Sequence, residues 1–372
     1  MINNCKQVEL RGVWIATVYG IDWPKTRNNP KAQMKEFIEI LDTLKLLNFN
    51  AVFVQIRPVS DALYQSVINP WSEYLTGEQG ISPGYDPLKF MIEESHKRNM
   101  EFHAWLNPYR VTTQGTDLNK LSNNNIAKLR PNWVLPFENA LFYNPENPEV
   151  INYIAVTVYE IIKNYCVDGI HFDDYFYPYN YPLPKGEDRE GEIANRRREA
   201  VNQMIRLVYN VIKSTRPSVQ FGISPFGVWK NKSSDIKGSE SKNLESYYDA
   251  YMDTVAWVEE GIVDYIAPQI YWTIDNKNSP YESLVKWWSD LVEGTCVRLY
   301  IGQNIGNVDI AKEIAQEITI NRTYDEVEGS IFFSMRNIEE NTGNVVEQFE
   351  QVYNCKAFTP VQWDNMLNKR TF

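Results

Sequence analysis

Apolar runs of strand length alternate with longer segments of helical periodicity from one end of the chain to the other. Strands are predicted at LRGVWIATVY (10–19), AVFVQIRP (51–58), EFHAWLNP (101–108) and GIHFDDYF (169–176). Four more are predicted at VQFGISPF (219–226), DYIAPQIYW (264–272), RLYIGQNIG (298–306) and SIFFSMRNI (330–338). Between them lie amphipathic stretches such as AQMKEFIEILDTLKLLN, EVINYIAVTVYEIIKNY and RREAVNQMIRLVYNVIKSTR. Eight β-α units in series predict an α/β fold, a closed (β/α)8 TIM barrel. A doubly wound sheet would carry a Gly-rich turn after its first strand, whereas the residues after Tyr19 are GIDWPKT.

Connection lengths support the barrel independently. Helix-to-strand links such as LNFNA, KRNMEF and YCVDG are short, whereas the strand-to-helix links at 58–85, 109–148, 177–193 and 227–246 are long. In a barrel the long links emerge together at the C-terminal face, where active sites are built. A single barrel is therefore expected over residues 1–354, with 355–372 as a C-terminal tail packed on its outside.

Alternation along each strand sends one set of side chains to the helices and the other into the lumen. In GIHFDDYF, Ile170 and Phe172 face outward, which places His171 and Asp173 inward with Asp173 at the rim. Asp174, next in sequence, faces elsewhere unless the strand has already bent. The same rule sends His103, Trp105 and Asn107 inward, together with Gln55, Arg57, Gln269, Tyr271 and Asn304. His103 and His171 read equally well as satisfied core histidines. Of the aromatic residues, the loop-borne Trp23, Trp71, Tyr74, Tyr109, Tyr177 and Tyr179 are candidate sugar-stacking platforms.

Length and composition narrow the chemistry. At 372 residues the chain can bury a large core, and its formal net charge of -11 repels phosphate backbones, so no nucleic-acid partner is expected. The basic run NRRREA sits in a helical pattern beside Glu192 and reads as a solvated helix face. No apolar run reaches the roughly 18 residues a bilayer span needs. Cys5, Cys166, Cys296 and Cys355 are widely spaced, so neither a zinc knuckle nor a disulfide framework is expected. The N-terminus lacks the regions of an export signal, which leaves a cytoplasmic protein or one whose leader is absent from this sequence.

The segments ELRGVWIATVYGIDWP, VFVQIRPVSDALYQSVINPWSEYLTGEQG, GYDPLKFMIEESHKRNMEFHAWLNPYR, VDGIHFDDYFYP, GISPFGVW, YIAPQIYW and GSIFFSMRNI resemble, in order, the glycosyl hydrolase-like 10 domain family. That family consists of bacterial barrel proteins and includes glycosidases acting on peptide-free peptidoglycan strands. The resemblance implies a (β/α)8 hydrolase-like fold, a cell-wall polysaccharide or oligosaccharide substrate and an extracytoplasmic location, frequently as a lipoprotein. DGIHFDDYFYP is also similar to the D-G-x-D-x-D-x-E-Y-P signature of family-18 chitinases at Asp168, Gly169 and Asp173. It departs from that signature where His171 replaces an aspartate and Tyr175 occupies the position of the acid.

Glycosidic cleavage needs one carboxylic acid to protonate the leaving oxygen and a second group to support the oxocarbenium-like centre. Asp173 is the candidate for support, as nucleophile or as orienter of a 2-acetamido group, and Asp174 for the acid. Asp22, Asp61 and Glu138 stand in reserve for the acid. Arg57, His103, Asn107, Tyr109, His171, Tyr175, Gln269, Tyr271, Trp272 and Asn304 are the candidate substrate-binding residues, and no metal or other cofactor is called for. Two alternatives remain: a metal-dependent hydrolase or deacetylase on His103, His171 and Asp173, and a non-catalytic glycan-binding barrel.

Overall fold

The structure, a computed structural model, describes residues 6–370. Eight parallel strands close into a barrel: β1 (Leu10–Ile15), β2 (Ala51–Arg57), β3 (Glu101–Leu106), β4 (Gly169–Phe172), β5 (Gln220–Ile223), β6 (Tyr265–Ile266), β7 (Arg298–Asn304) and β8 (Val327–Phe333). Each strand pairs with its neighbour in sequence, and β8 pairs with β1. The predicted TIM barrel is thus the observed fold. The long link after β3 carries a small antiparallel hairpin, Val134–Phe137 with Ala140–Tyr143.

Several strands end earlier than their apolar runs suggest. β6 was expected over 264–272 but keeps only Tyr265–Ile266 as regular strand, because Pro268 brings no N–H to the ladder. Pairing resumes as isolated bridges from Gln269 to Phe226 and to Gly302. β4 ends at Phe172, so Asp173 and Asp174 lie beyond the pleat, where strict alternation no longer holds.

Three outer helices start from the same local chemistry. Pro30–Leu46, Pro87–Lys97 and Pro148–Asn164 each follow Asn29, Asp86 or Asn147, whose side chain accepts a backbone N–H of the first turn. Proline at the first helical position has the helix φ built in and lacks only an N–H that would go unpaired. Pro30–Leu46 then buries Gln33, Phe37, Ile40, Leu41 and Leu44, one stripe at helical spacing, against the strands.

The lumen is filled by side chains of unequal size. Phe53, His103 and Tyr265 are large, and glycines stand opposite them. A Cβ on Gly169 would lie 2.2 Å from His103 Nδ1, and one on Gly222 would lie 2.0 Å from the Tyr265 ring. Leu10, Trp14, Trp105, Tyr300 and Ile331 complete this inner cluster, separate from the larger core between strands and helices.

At the N-terminal face the segment beyond residue 354 packs against the barrel. Val8 bridges to Phe358, Thr359 Oγ1 donates to Glu101 Oε1, and a helix follows at Pro360–Arg370. Cys355 is disulfide-bonded, which corrects the expectation that none of the cysteines would be. Cys166 and Cys296 are free and exposed, and Cys5 lies outside the described residues. Among the described residues no helix is long and apolar enough to cross a membrane.

Candidate active site

A cavity of about 310 Å³ opens at the C-terminal mouth of the barrel. Asp173, Asp174 and Tyr175 from the end of β4 line it together with Gln269 and Tyr271 from the segment after β6. Both aspartates therefore face the same space, because β4 has ended before either of them.

Asp173 is buried and pinned. Thr17 N and Val18 N donate to Gln55 Oε1 at 3.0 Å, Gln55 Nε2 donates to Asn107 Oδ1 at 2.6 Å, and Asn107 Nδ2 donates to Asp173 Oδ2. That relay crosses β1 to β4 and leaves each amide only one orientation. Tyr175 N donates to the other oxygen, Oδ1, at 3.2 Å. Burial pushes the Asp173 carboxyl up to about 7; the Arg110 guanidinium opposes this and the Asp174 charge adds to it. Asp174 is half-buried, accepts a hydrogen bond from Tyr179 Oη on Oδ2, and is likewise raised by burial. The Tyr271 phenol is held well above its ordinary value, first by burial and then by the two aspartates, so it remains a donor.

Beneath the cavity the two inward histidines belong to a column of polar groups. Trp14 Nε1, which can only donate, points at His171 Nε2 at 3.1 Å, so the neutral imidazole carries its proton on Nδ1. Nδ1 then donates to Tyr265 Oη at 3.0 Å, Tyr265 donates to His103 Nδ1 at 3.1 Å, and His103 Nε2 donates to Glu101 Oε2 at 3.3 Å. Burial, and then the neighbouring His103, hold His171 well below its ordinary value, as this neutral arrangement requires. Every ring nitrogen is engaged, and among the described residues no group of three His, Cys, Asp or Glu side chains could hold a metal ion. The donor set proposed for a metal-dependent hydrolase does not fit a metal.

The remaining sequence candidates do not line the cavity. Arg57 is buried and donates to Asn107 O, Pro108 O and Tyr153 Oη, and Tyr109 is packed against Phe176. Trp272 stands edge-on to Phe226, and Asn304 Oδ1 accepts from Gly306 N. Asp22 accepts from Ala16 N, Ser334 Oγ and Arg336 N, fastening the loop after β1 to the end of β8. Asp61 is fully buried away from the cavity, and Glu138 is exposed at the turn of the hairpin. Trp23, Tyr74 and Tyr177 are buried and offer no face to a sugar. Arg110, Trp14, Ser224 and Phe333 do line the cavity and were not singled out. Alternation from Gly12 would have placed Trp14 in the lumen, whereas Arg110 lies beyond its strand and carries no such signal.

The glycosyl hydrolase-like 10 family matches residues 9–320. The chain belongs to this family. Glycosyl hydrolase YngK of Bacillus subtilis is 43% identical over 393 residues, covering 100% of this chain and 77% of that protein. Glycosyl hydrolase DigH of Escherichia coli is 39% identical over 362 residues, covering 87% of this chain and 82% of that one. Among solved structures, the PgaB (BpsB) glycoside hydrolase domain of Bordetella bronchiseptica aligns with a TM-score of 0.59 at 12% identity, over 94% of this chain and 100% of that domain. The catalytic domain of a Paenibacillus polymyxa β-amylase aligns with the same score at 11% identity, over 95% and 100%. At such identities these two likenesses concern the barrel alone. Family membership makes the chain a glycosidase-type enzyme.

Proposed function

We propose that the chain cleaves glycosidic bonds in N-acetylhexosamine-containing polysaccharide of the bacterial cell wall, above all peptide-free peptidoglycan strands. The observation that carries this reading is the pair Asp173 and Asp174 on one wall of the mouth cavity, both held toward the protonated form by burial. Two neighbouring carboxyls in a poorly solvated site do not both ionise readily, so the pair retains a proton near neutral pH.

That proton is what a leaving glycosidic oxygen needs. Asp174 is the more open of the two and delivers it; Asp173, fixed on both oxygens by Asn107 and Tyr175, supports the reacting sugar. Tyr271 faces the same space with a donor suited to a 2-acetamido group, beside Gln269, whose amide nitrogen is already held by Ser224 O. The substrate class rests on the strand-end motifs shared with a family that includes peptidoglycan glycosidases. An extracytoplasmic site of action accords with that substrate and with the disulfide at Cys355.

The test is digestion of peptide-free peptidoglycan strands, with chitin oligosaccharides alongside, by the native chain and by Asp173→Asn and Asp174→Asn. Each variant is expected to release reducing ends about 10²- to 10⁴-fold more slowly. Undiminished rates in both would remove the aspartates from the mechanism. Native protein that binds the strands without producing new ends would be a glycan-binding barrel instead.

A further inference from the structure

Arg110 is the cation of the mouth cavity. It follows β3 directly, is half-buried, and stacks its guanidinium carbon 4.4 Å from the centre of the Tyr175 ring. Stacking fixes the plane of the group without using its N–H donors. Nη1 makes one long contact, 3.4 Å to Pro58 O, and among the described residues no carboxylate lies within ion-pair distance of it. The contrast with other arginines is plain. Arg206 is paired with Glu260, Arg298 with Glu328 and Arg322 with Glu9. Among the described residues Arg110 Nε and Nη2 have no hydrogen-bond partner and are not sealed from solvent, so they are open for an incoming group.

We infer that Arg110 holds a carboxylate carried by the sugar that binds beside the aspartate pair. A planar fork of N–H donors at the wall of a cavity matches the two oxygens of one carboxylate. A dianionic phosphate is a poorer fit, because its second charge would face Asp173 and Asp174. Two kinds of sugar bring such a group: a muramic acid residue, through its 3-O-lactyl ether, and a hexuronic acid, through its ring carboxyl. The inference rests on the reading of the site as a glycosidase, and it makes the acidic substituent, rather than the acetamido group alone, a determinant of choice.

Removing Arg110 also removes a positive charge near the aspartates, which alters the rate on every substrate. A ratio between two substrates cancels that common effect. The substrates are peptide-free peptidoglycan strands and the same strands after chemical reduction of the lactyl carboxyl to an alcohol, with hexuronate-containing oligosaccharides as a third arm. The native chain is expected to prefer the carboxylated strands in kcat/KM. In Arg110→Gln the preference falls by about tenfold to a hundredfold, as befits a lost charge-assisted hydrogen bond, with most of the change in KM. Arg110→Lys, which keeps charge but not the fork, falls between. A preference for the hexuronate arm identifies the ring carboxyl as the source. Equal cleavage of native and reduced strands, or a ratio that the substitutions leave alone, overturns the inference. Should the native chain cleave none of them, the glycosidase reading fails by itself; calorimetric titration with the same oligosaccharides then decides. Tighter binding of acidic than neutral ones, lost in Arg110→Gln, sustains the contact, and equal binding ends it.

Discussion

Tyr179 sets the balance within the aspartate pair. Its hydroxyl donates to Asp174, an interaction that lowers that carboxyl against the rise caused by burial. Activity that depends on a retained proton is lost as pH rises through the apparent value of the pair, with Asp173 placed near 7. Tyr179→Phe removes a donor to the ionised form, so Asp174 rises and the alkaline limb of the kcat/KM profile should move to higher pH by about 0.5 to 1 unit. A limb that stays in place, or moves down, would show that Asp174 is not the group whose proton is used. At this scale alternation placed His171 and Asp173 correctly, because both lie on or next to regular strand. For Asp174 it left the direction conditional on a bend, which the end of β4 at Phe172 supplies, and it gave nothing for Arg110, which stands past the last ladder pair of β3, where the direction of a side chain depends on contacts rather than on the pleat.

The strands show the same division between what is periodic and what is not. All eight could be read from apolar runs, and the long strand-to-helix links do gather at one face, but Pro268 cuts β6 to two residues. Register in the lumen depends on size complementarity that no single strand displays. Gly222 is unremarkable in QFGI until Tyr265 is set against it, its ring atoms 2.0 Å from where a Cβ would stand. Gly222→Ala should therefore force Tyr265 out of the column that orders His171 and His103, and cost about 3 kcal/mol or more, in the range of overpacked cores and broken buried networks. Denaturant unfolding measures this directly. Gly222→Ala combined with Tyr265→Leu should lose much less than the two single changes added together, since the smaller side chain vacates the contested space. Simple additivity would mean that the two residues do not compete for it. The cysteines illustrate the opposite limit: Cys355 has no paired spacing in sequence, and only the fold reveals that it is bonded.

For the molecule as a whole, stability should run against the usual dependence on pH. Asp61 sits fully buried with no aligned donor on either carboxyl oxygen, and burial raises it from 3.8 to about 7, with Ser72 and Arg57 pulling back. A carboxyl raised in the folded state contributes stability that is complete below its unfolded value and disappears as pH climbs through its folded one. Asp173 has the same window, from about 4 to about 7, and buried Glu317 adds in the same direction. His171 opposes them: held well below 6.5, it contributes fully above that value and less as pH falls beneath it. Three buried carboxyls outweigh one imidazole, and a chain of formal charge -11 with an isoelectric point near 5.0 also repels itself less as pH falls toward that point. Thermal unfolding should accordingly give a higher Tm near pH 5.5 than at pH 8. Asp61→Asn, which cannot ionise, should narrow that difference by raising Tm at pH 8 by about 1 to 4 °C, from a shift of about 3 units at roughly 1.4 kcal/mol each, partly offset by the unpaired amide and divided by the large unfolding entropy of a chain this long. At pH 4.5 the variant should gain nothing. A Tm that climbs steadily to pH 8 in the native chain, or an Asp61→Asn effect that is the same at both ends, would mean that Asp61 is ionised within the fold at little cost.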